Sequence, residues 1–208
     1  MTKKTNDMNT IINIGRSFGS GGGFVGQAIG KKLGIPVYDN ELISKVAEES
    51  GYSKSLFAGE EKRSLFSVSS FFASGRLSYL DSGYVNDNVM FNIQSEVIRS
   101  VAQKGDAVII GRCADYILRD LHCLDVFICA PLEFRINRLM ENDGLSADEA
   151  ENLIRRKDRT RETYYNYYTF GSWGQASNYD LCIDSSILGI EGTADYIIDF
   201  GRKAGIVK

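Results

Sequence analysis

The sequence predicts an α/β fold in which a parallel β-sheet is covered by helices on both faces. Short apolar runs alternate along the chain with segments of helical periodicity, and such runs are typical of strands that are buried on both faces. The composition agrees, because 43% of the 208 residues are hydrophobic and 25% are charged, as in an ordinary globular domain. No internal repeat is apparent, so we expect one domain, or one domain that carries a large insertion.

The predicted strands and helices follow one another along most of the chain. Strands are predicted at 11–14, 35–38, 107–110, 124–130 and 180–184. Helix starts are indicated by Pro131 and by a capping box that pairs Ser146 with Glu149. Residues 52–86 have no clean period and are rich in serine and aromatic residues. We interpret this segment as an insertion or as a surface that faces a partner.

Net charge and hydropathy narrow the classes of function. The formal net charge is −3 and the pI is about 5.3, which argues against bulk electrostatic binding to nucleic acid or to an acidic membrane. No apolar run approaches the roughly 18 residues that span a bilayer, and the polar start MTKKTNDMNT lacks the hydrophobic core of a signal peptide. We therefore expect a cytoplasmic protein with no membrane or nucleic-acid partner, and homo-oligomerisation stays open.

The cysteines and the one histidine predict no metal site. The four cysteines contain no Cys-x-x-Cys pair, and we interpret them as small apolar core residues: Cys113, Cys123, Cys129 and Cys182. His122 lies in the connector RDLHCLD, which we interpret as a loop. Metal ligation by cysteine and histidine is therefore excluded.

A glycine-rich turn after the first strand is the sharpest functional signal. The segment GRSFGSGGG, from Gly15 to Gly23, contains five glycines and precedes a helix. In a parallel α/β sheet such a turn lies at the carboxyl ends of the strands, where ligands bind. Its backbone N–H groups and the positive end of the helix favour a phosphate chain. The predicted phosphate-binding residues are Arg16, Ser17, Gly19, Ser20, Gly21, Gly22 and Gly23.

Two motifs compete for this turn. The stretch from Gly21 to Gly26 fits the G-x-G-x-x-G of dinucleotide-binding folds, and Asp39 ends the next strand where such folds place a ribose-binding acid. Six residues separate Ile14 from Gly21, however, and this spacing fits a P-loop that wraps a triphosphate. We prefer the P-loop, and a dinucleotide-binding oxidoreductase stays as a less favoured alternative.

The P-loop lacks two side chains of its consensus, G-x-x-x-x-G-K-[ST]. Gly22 stands where the phosphate-binding lysine belongs, and Gly23 stands where a hydroxyl binds Mg²⁺. Arg16 takes the place of the first glycine, and its guanidinium can bind phosphate through two hydrogen bonds. We predict that Arg16 supplies the missing charge. A regulatory module that binds nucleotide without transferring phosphate is the alternative.

Three segments together resemble the cytidylate kinase-like family, a branch of the P-loop nucleoside monophosphate kinases. They are IINIGRSFGSGGGFVGQAIGKKLGIPVYDNELI, VIIGRCADYIL and DRTRETYYNYYTFGSWGQASNYDLCIDSS. The resemblance implies one P-loop NTPase domain over 1–208, in three α/β/α layers, with a five-stranded parallel sheet in the order 2-3-1-4-5. It also implies an acceptor-side segment at 52–86, a lid-like segment at 155–178, and the use of ATP and Mg²⁺.

The same resemblance implies residues that bind the acceptor. Arg112 matches the arginine of the family's G-R-D motif, which binds the acceptor nucleotide. Asp158 and Arg161 match a lid-side pair associated with the acceptor's sugar and phosphate. Asp39 and Asn40 stand where the family places an Asp-Ser that meets the acceptor.

The sequence departs from the family pattern at two places. Cys113 replaces the acid of G-R-D, and Asp115 is the nearest carboxylate. The helix near 87–103 has only Arg99, late, where the family has an early arginine. Both departures leave the acceptor base open.

A basic stretch supplies the positive charge that phosphoryl transfer needs. Residues 155–161 read RRKDRTR, with five cations in seven residues, and helical spacing places Asp158 one turn from Arg155 and Arg161. The catalytic residues that we predict are Arg16, Arg156, Arg159 and Arg161. The sequence thus favours ATP-dependent phosphoryl transfer to a nucleoside monophosphate or a similar small phosphate acceptor.

Other polar and aromatic residues near these motifs are given structural interpretations. Arg135 and Arg138 avoid the apolar stripe of their helix and are interpreted as surface residues. The tyrosine run from Tyr164 to Tyr168 is interpreted as packing. For Asp184, capping of the last helix and a place at the edge of a base site are both open.

Overall fold

The computed structural model describes residues 9–49 and 83–208, which form a five-stranded parallel sheet with helices on both faces. The strands are β1 (Ile11–Arg16), β2 (Val37–Tyr38), β3 (Ala107–Ile110), β4 (Leu124–Cys129) and β5 (Leu181–Asp184). The helices are α1 (Gly22–Leu33), α2 (Asn40–Glu49), α3 (Gly83–Lys104), α4 (Ala114–Ile117), α5 (Leu132–Asp143), α6 (Ala147–Thr169) and α7 (Ser185–Lys203). Of the predicted insertion at 52–86, residues 52–82 lie outside the described residues.

The strand order is β2-β3-β1-β4-β5, which confirms the order implied by the sequence resemblance. Pairing is parallel throughout, with Ile12 beside both Val108 of β3 and Leu124 of β4. In a dinucleotide-binding fold β2 lies beside β1, whereas here β3 takes that place. The dinucleotide-binding alternative is therefore wrong, and the G-x-G-x-x-G match is a coincidence of glycine content.

The sheet is buried on both faces, as the apolar strands predict. On one face Ile12, Ile14 and Val126 pack beneath α1 and α7. On the other face Ile11 and Ile109 pack beneath α3 and α4. Because both faces are covered, the polar chemistry of the protein is confined to the edge where the strands end.

Four segments meet at this carboxyl edge. The first helix begins after Gly21, and α5 begins directly after Pro131, as predicted. The long helix α6 begins with the predicted capping box, in which Ser146 accepts from the N–H of Glu149 and the Glu149 carboxylate accepts from that of Ser146. The turn before α1, the corner before α4 and the helices α5 and α6 all meet there.

The cysteine interpretation holds for part of the set. Cys113 and Cys123 are buried in the core, Cys129 is half-buried and Cys182 is exposed. Cys182 is exposed because β5 is an edge strand of the sheet. Over 9–49 and 83–208, no helix combines the length and the hydropathy that crossing a bilayer requires.

Candidate phosphate-binding site

The glycine-rich turn presents unpaired backbone N–H groups at the start of α1. Gly19 (φ +79°) and Gly21 (φ +81°) lie in the left-handed region, where only glycine is free of steric cost. Within the described residues, the N–H groups of Gly19, Gly21, Gly23 and Phe24 form no hydrogen bond. These donors and the positive end of α1 are together able to bind an anion.

The two serines of the turn hold its shape. The N–H of Ser17 donates to Ile128 O at 3.0 Å, and the Ser20 hydroxyl donates to Ser17 O at 2.9 Å. The Ser185 hydroxyl, from the start of α7, donates to Ser20 O at 2.5 Å. Ser20 and Ser185 are fully buried, so the turn is fastened to β4 and to α7.

The side chain of Arg16 explains why position 22 is glycine. A Cβ atom at Gly22 would lie 2.6 Å from the Cβ atom of Arg16, and a Cβ atom at Gly111 would collide with the Arg16 guanidinium. Any side chain at position 22, a lysine included, therefore requires Arg16 to move. In this backbone, a lysine at position 22 is sterically compatible only with glycine at position 16.

Arg16 lies in a cluster of three guanidinium groups, with Arg112 and Arg161. Burial, then repulsion by Arg161 and Arg112, lowers the pKa of Arg16 to about 9, while Asp39 acts in the opposite direction. Burial also lowers the pKa of Arg161, which Asp158 partly offsets. Arg16 therefore stays protonated at neutral pH at an electrostatic cost, and a bound anion would relieve that cost.

The backbone that carries Arg112 is strained. Gly111, Arg112 and Cys113 have φ angles of +81°, +57° and +55°, so three consecutive residues are left-handed. A non-glycine residue costs about 1–2 kcal/mol in this region. The Arg112 guanidinium lies 5.6 Å from the ring centroid of Tyr164 on α6. Strain of this kind is found where a side chain is held in a functional position.

Neither Cys113 nor Asp115 replaces the acid of the family's G-R-D motif. Burial raises the pKa of the Cys113 thiol to about 12, so the thiol is uncharged. Burial also raises the pKa of Asp115, whose carboxylate accepts a hydrogen bond of 2.7 Å from the Tyr165 hydroxyl. Neither side chain thus offers Arg112 a freely exposed carboxylate.

Asp39 directly precedes α2 and lies close enough to Arg16 to favour its charge. Its carboxylate accepts from Leu42 N at 2.9 Å, which caps the helix. Asn40 is the first residue of α2 and is exposed. Of these two predicted acceptor residues, Asp39 thus acts on Arg16 electrostatically, and Asn40 is exposed at the start of α2.

The basic stretch of α6 divides between two faces of the helix. Asp158 and Arg161 face the glycine-rich turn: the Asp158 carboxylate accepts from Phe18 N at 2.7 Å, and Arg161 donates to Arg16 O at 3.0 Å. Arg156 and Arg159 are exposed. Arg159 lines a cavity of about 400 Å³ between α5 and α6, whereas Arg156 is not among the residues that line it.

Two arginines of α5 also belong to this site, so their interpretation as surface residues is wrong. The Arg135 side chain is only 14% exposed and forms an ion pair of 2.6 Å with Asp158, in place of the predicted partner Arg155, which pairs with Glu151. Arg138 lies against Gly21, where a Cβ atom would collide with its Nη1. That nitrogen is buried and has no hydrogen-bond partner within the described residues.

The arrangement of α5 explains why sequence reasoning missed this pair. Arg135 and Arg138 are one turn apart on a helix that begins directly after the carboxyl end of β4. That position alone brings one helix face against the glycine-rich turn. The apolar stripe revealed only which face meets the core, so the adjoining face was assigned to solvent.

A glutamine was also missed. Gln94 of α3 is 1% exposed, and its Oε1 accepts from the Tyr164 hydroxyl at 3.3 Å. Its Nε2 is buried without a partner in the described part of the chain. Phe91 and Tyr168 stack beside this pair at a centroid distance of 4.0 Å. The tyrosines of α6 therefore pack, as predicted, but around an unsatisfied polar group.

Of the two interpretations of Asp184, the structure favours capping of α7. Its carboxylate accepts from Ser186 N at 2.8 Å and from the Ser186 hydroxyl at 2.7 Å, so it caps α7. The adjacent Ser185 holds the glycine-rich turn through Ser20. The start of α7 therefore helps to fix the position of the glycine-rich turn.

A parallel sheet in this order, with a glycine-rich turn directly after β1, defines the class of P-loop α/β proteins. The kinases of this class bring a second substrate to the same edge, where this chain has its arginine cluster. Comparison with known proteins narrows the class. A sequence model of the "Cytidylate kinase-like family" matches residues 11–187, and the chain belongs to that family.

Individual proteins are similar to this chain in sequence or in fold. A cytidylate kinase from Methanopyrus kandleri is 23% identical over 190 residues, which is 86% of each chain. A solved structure of an uncharacterized protein from Eubacterium ventriosum has a TM-score of 0.68 at 28% identity and covers 92% of this chain and 98% of its own. A shikimate kinase from Bacteroides thetaiotaomicron, with a TM-score of 0.51 and 14% identity over 93% and 98% of the two chains, shares the fold.

Proposed function

We propose that the protein transfers a phosphoryl group from ATP to a nucleoside monophosphate or a similar small phosphate acceptor. The observation that carries this proposal is the convergence of Arg16, Arg112 and Arg161, from three different elements, beside unpaired amides at the start of α1. Phosphoryl transfer needs two phosphates in line and fixed positive charge around the transferred group. Family membership and this arrangement support the same conclusion.

The donor phosphates would lie in the glycine-rich turn. The free N–H groups of Gly19, Gly21 and Gly23 point to a triphosphate as the ligand, and Arg138 adds a guanidinium with an unused donor beside Gly21. Charge-assisted hydrogen bonds of this kind are each worth about 1.5–3 kcal/mol. We infer that Arg138 and Arg16 together take the place of the absent lysine.

The acceptor phosphate would lie between Arg112 and Arg161, on the β3 side of Arg16. Asp39 and Asn40, at the end of β2, would contact the acceptor from the opposite rim. Arg156 and Arg159 are exposed on α6, and their predicted catalytic role requires that α6 moves when the substrates bind. Closure of such a helix excludes water from the transferred group.

Mg²⁺ would reach this site bound to the donor. Position 23 has no side chain, and among the described residues no group of three or more histidine, cysteine, aspartate or glutamate side chains is arranged to hold a metal ion. The residues present therefore fit an ion that is coordinated mainly by phosphate and water, as is common for Mg²⁺. The ion would neutralise charge on the donor phosphates, and the chain's own arginines would do so on the transferred group.

Replacement of Gln94 by leucine separates binding from stability. We propose that the unpaired Nε2 donates to the acceptor nucleotide, because it lies beside Tyr164, which the Arg112 guanidinium overlies. Gln94→Leu is expected to weaken CMP binding about tenfold, as measured by calorimetry. The free energy of unfolding is not expected to fall, since removal of an unsatisfied buried amide offsets the lost Tyr164 contact.

Gln103→Leu is the matched control, because Gln103 lies on the same helix and is exposed. It should leave CMP binding unchanged. A Gln94→Leu protein that is destabilised but binds CMP normally would show that the amide is structural.

A second candidate function is nucleotide binding without transfer. It is favoured by one observation, the absence of both consensus side chains at Gly22 and Gly23. Such a module would bind ATP and respond to it without consuming it.

Two measurements on the intact protein test the proposal. ADP formation is followed with ATP, Mg²⁺ and each of CMP, UMP, AMP and GMP, and ATP binding is measured by calorimetry. We expect ADP formation that depends on at least one monophosphate. ATP binding with no turnover on any acceptor would favour the regulatory module, and a lack of ATP binding would contradict both candidates.

A further inference from the structure

We propose that Asp158 is a positioning residue for the donor loop, and that it does not bind the acceptor sugar or phosphate as the resemblance implied. This inference rests on the proposed function, because it assigns a role within the same site. The observation behind it is that residues of the lid-like helix α6 grip the backbone of the glycine-rich turn directly.

Phe18 is held on three sides. Its N–H donates to Asp158 Oδ1 at 2.7 Å, and its carbonyl oxygen accepts from Arg135 Nη1 at 3.2 Å. Its ring lies 5.3 Å from the Arg161 guanidinium. Both peptide groups of Phe18 are thereby oriented by side chains from α5 and α6.

The Asp158 carboxylate is occupied by these contacts. Asp158 Oδ1 accepts from the N–H of Phe18. Asp158 Oδ2 accepts from Arg135 Nη1 at 2.6 Å, and the same nitrogen donates to the carbonyl oxygen of Phe18. Both side chains are largely buried, at 20% and 14% exposure. An acceptor sugar would have to compete with a backbone donor and a guanidinium for the same two oxygens.

Charge leads to the same conclusion. A carboxylate close to a phosphate is repulsive unless a cation lies between them. Arg135 pairs with Asp158 on the α5 side, and Asp158 partly offsets the lowering of the Arg161 pKa by burial. Asp158 therefore orients Arg135 and one peptide group, and its own charge is already paired.

The contacts of Phe18 affect donor binding through the residue that follows it. The next residue, Gly19, has a φ of +79° and the first of the unpaired N–H groups. A glycine at this point rotates easily, so the direction of its N–H depends on how firmly Phe18 is held. Loss of the Asp158 contact is expected to let the turn sample directions that do not bind phosphate.

The test compares Asp158→Ala with Glu151→Ala. Both remove one carboxylate from α6, but Glu151 pairs with Arg155 at the surface and not with the turn. Asp158→Ala is expected to weaken ATP binding about tenfold, equivalent to about 1.4 kcal/mol, while the affinity for CMP changes less than about twofold. Amide hydrogen exchange at Phe18 and Gly19 is expected to speed up in Asp158→Ala and to stay unchanged in Glu151→Ala.

Asp158→Asn provides a second variant if the alanine protein does not fold. It keeps an oxygen for the Phe18 N–H and loses the charge that pairs with Arg135, so it should weaken ATP binding less than alanine does. Weaker CMP binding with normal ATP binding would overturn the inference and restore the acceptor role. Equal ATP affinity in all variants would overturn it too, whereas a wild-type protein that binds no ATP would refute the proposed function itself.

Discussion

Replacement of Arg16 by methionine is expected to lower kcat/KM for phosphoryl transfer about a thousandfold. Arg16 is the central member of the arginine cluster, and Arg112 and Arg161 both act on it electrostatically. No cation stands at position 22 to replace it. The measurement is steady-state ADP formation with the acceptor that the monophosphate panel identifies. Retention of more than about a tenth of the activity would contradict the central role of Arg16.

The same substitution is expected to stabilise the protein by about 1 kcal/mol, since an unbound buried charge is replaced by an apolar chain. Burial lowers the pKa of Arg16 from its ordinary 12.5 to about 9, so the native state carries this charge at every pH below about 9. The gain is therefore full below that pH and shrinks as the pH rises toward 12.5, where the unfolded chain also loses its proton. Thermal unfolding at pH 7 measures it, and a lower Tm would contradict the expectation.

A double substitution is the sharpest control for Arg16. Gly22→Lys alone should be poorly active, because its Cβ atom would lie 2.6 Å from that of Arg16. Arg16→Gly removes this conflict and restores the first consensus glycine. The Arg16→Gly, Gly22→Lys protein is expected to bind ATP more tightly than either single variant. Additive losses would show that the two positions do not share one space.

Replacement of Arg138 by alanine is expected to lower kcat about a hundredfold and to weaken ATP binding. The Arg138 Nη1 is buried against Gly21 with no hydrogen-bond partner in the described ranges, 9–49 and 83–208. A donor phosphate in the turn would supply that partner. Activity and ATP calorimetry measure the two losses.

Arg155→Ala serves as the control, because Arg155 lies on α6 in a surface pair with Glu151. Gly21→Ala is expected to have a combined effect, since the added Cβ atom would displace the Arg138 guanidinium, collide with Ile190 and strain a left-handed backbone. Both Arg138→Ala and Gly21→Ala should lose activity while Arg155→Ala keeps it. Full activity of Arg138→Ala would exclude it from the donor site.

The sheet was predictable because its central strands carry apolar residues on both faces. Ile12, Ile14 and Val126 lie in one core cluster and Ile11 in the other, so their sequence reads as buried strand without tertiary information. The strand order was not predictable from these patterns. It came from the family resemblance, because hydropathy does not state which strands are neighbours.

The glycine-rich turn and the basic stretch were also recognisable, but their connections were not. Local spacing suggested that Asp158 pairs within α6, whereas its partner Arg135 comes from α5, 23 residues away. Helix packing decides such pairs, and packing is a property of the folded chain. The unsatisfied atoms of Gln94 and Arg138 could be found only by following every polar group to its partner.

The left-handed corner that carries Arg112 has a consequence for how tightly the protein holds its ligands. A guanidinium on a flexible loop would lose conformational freedom at the moment of binding, which weakens affinity. Here that freedom is lost when the chain folds, through a backbone bend that two of its three residues adopt at a steric cost. This strain lowers the stability of the corner, and an anion that binds there would meet a guanidinium that is already ordered.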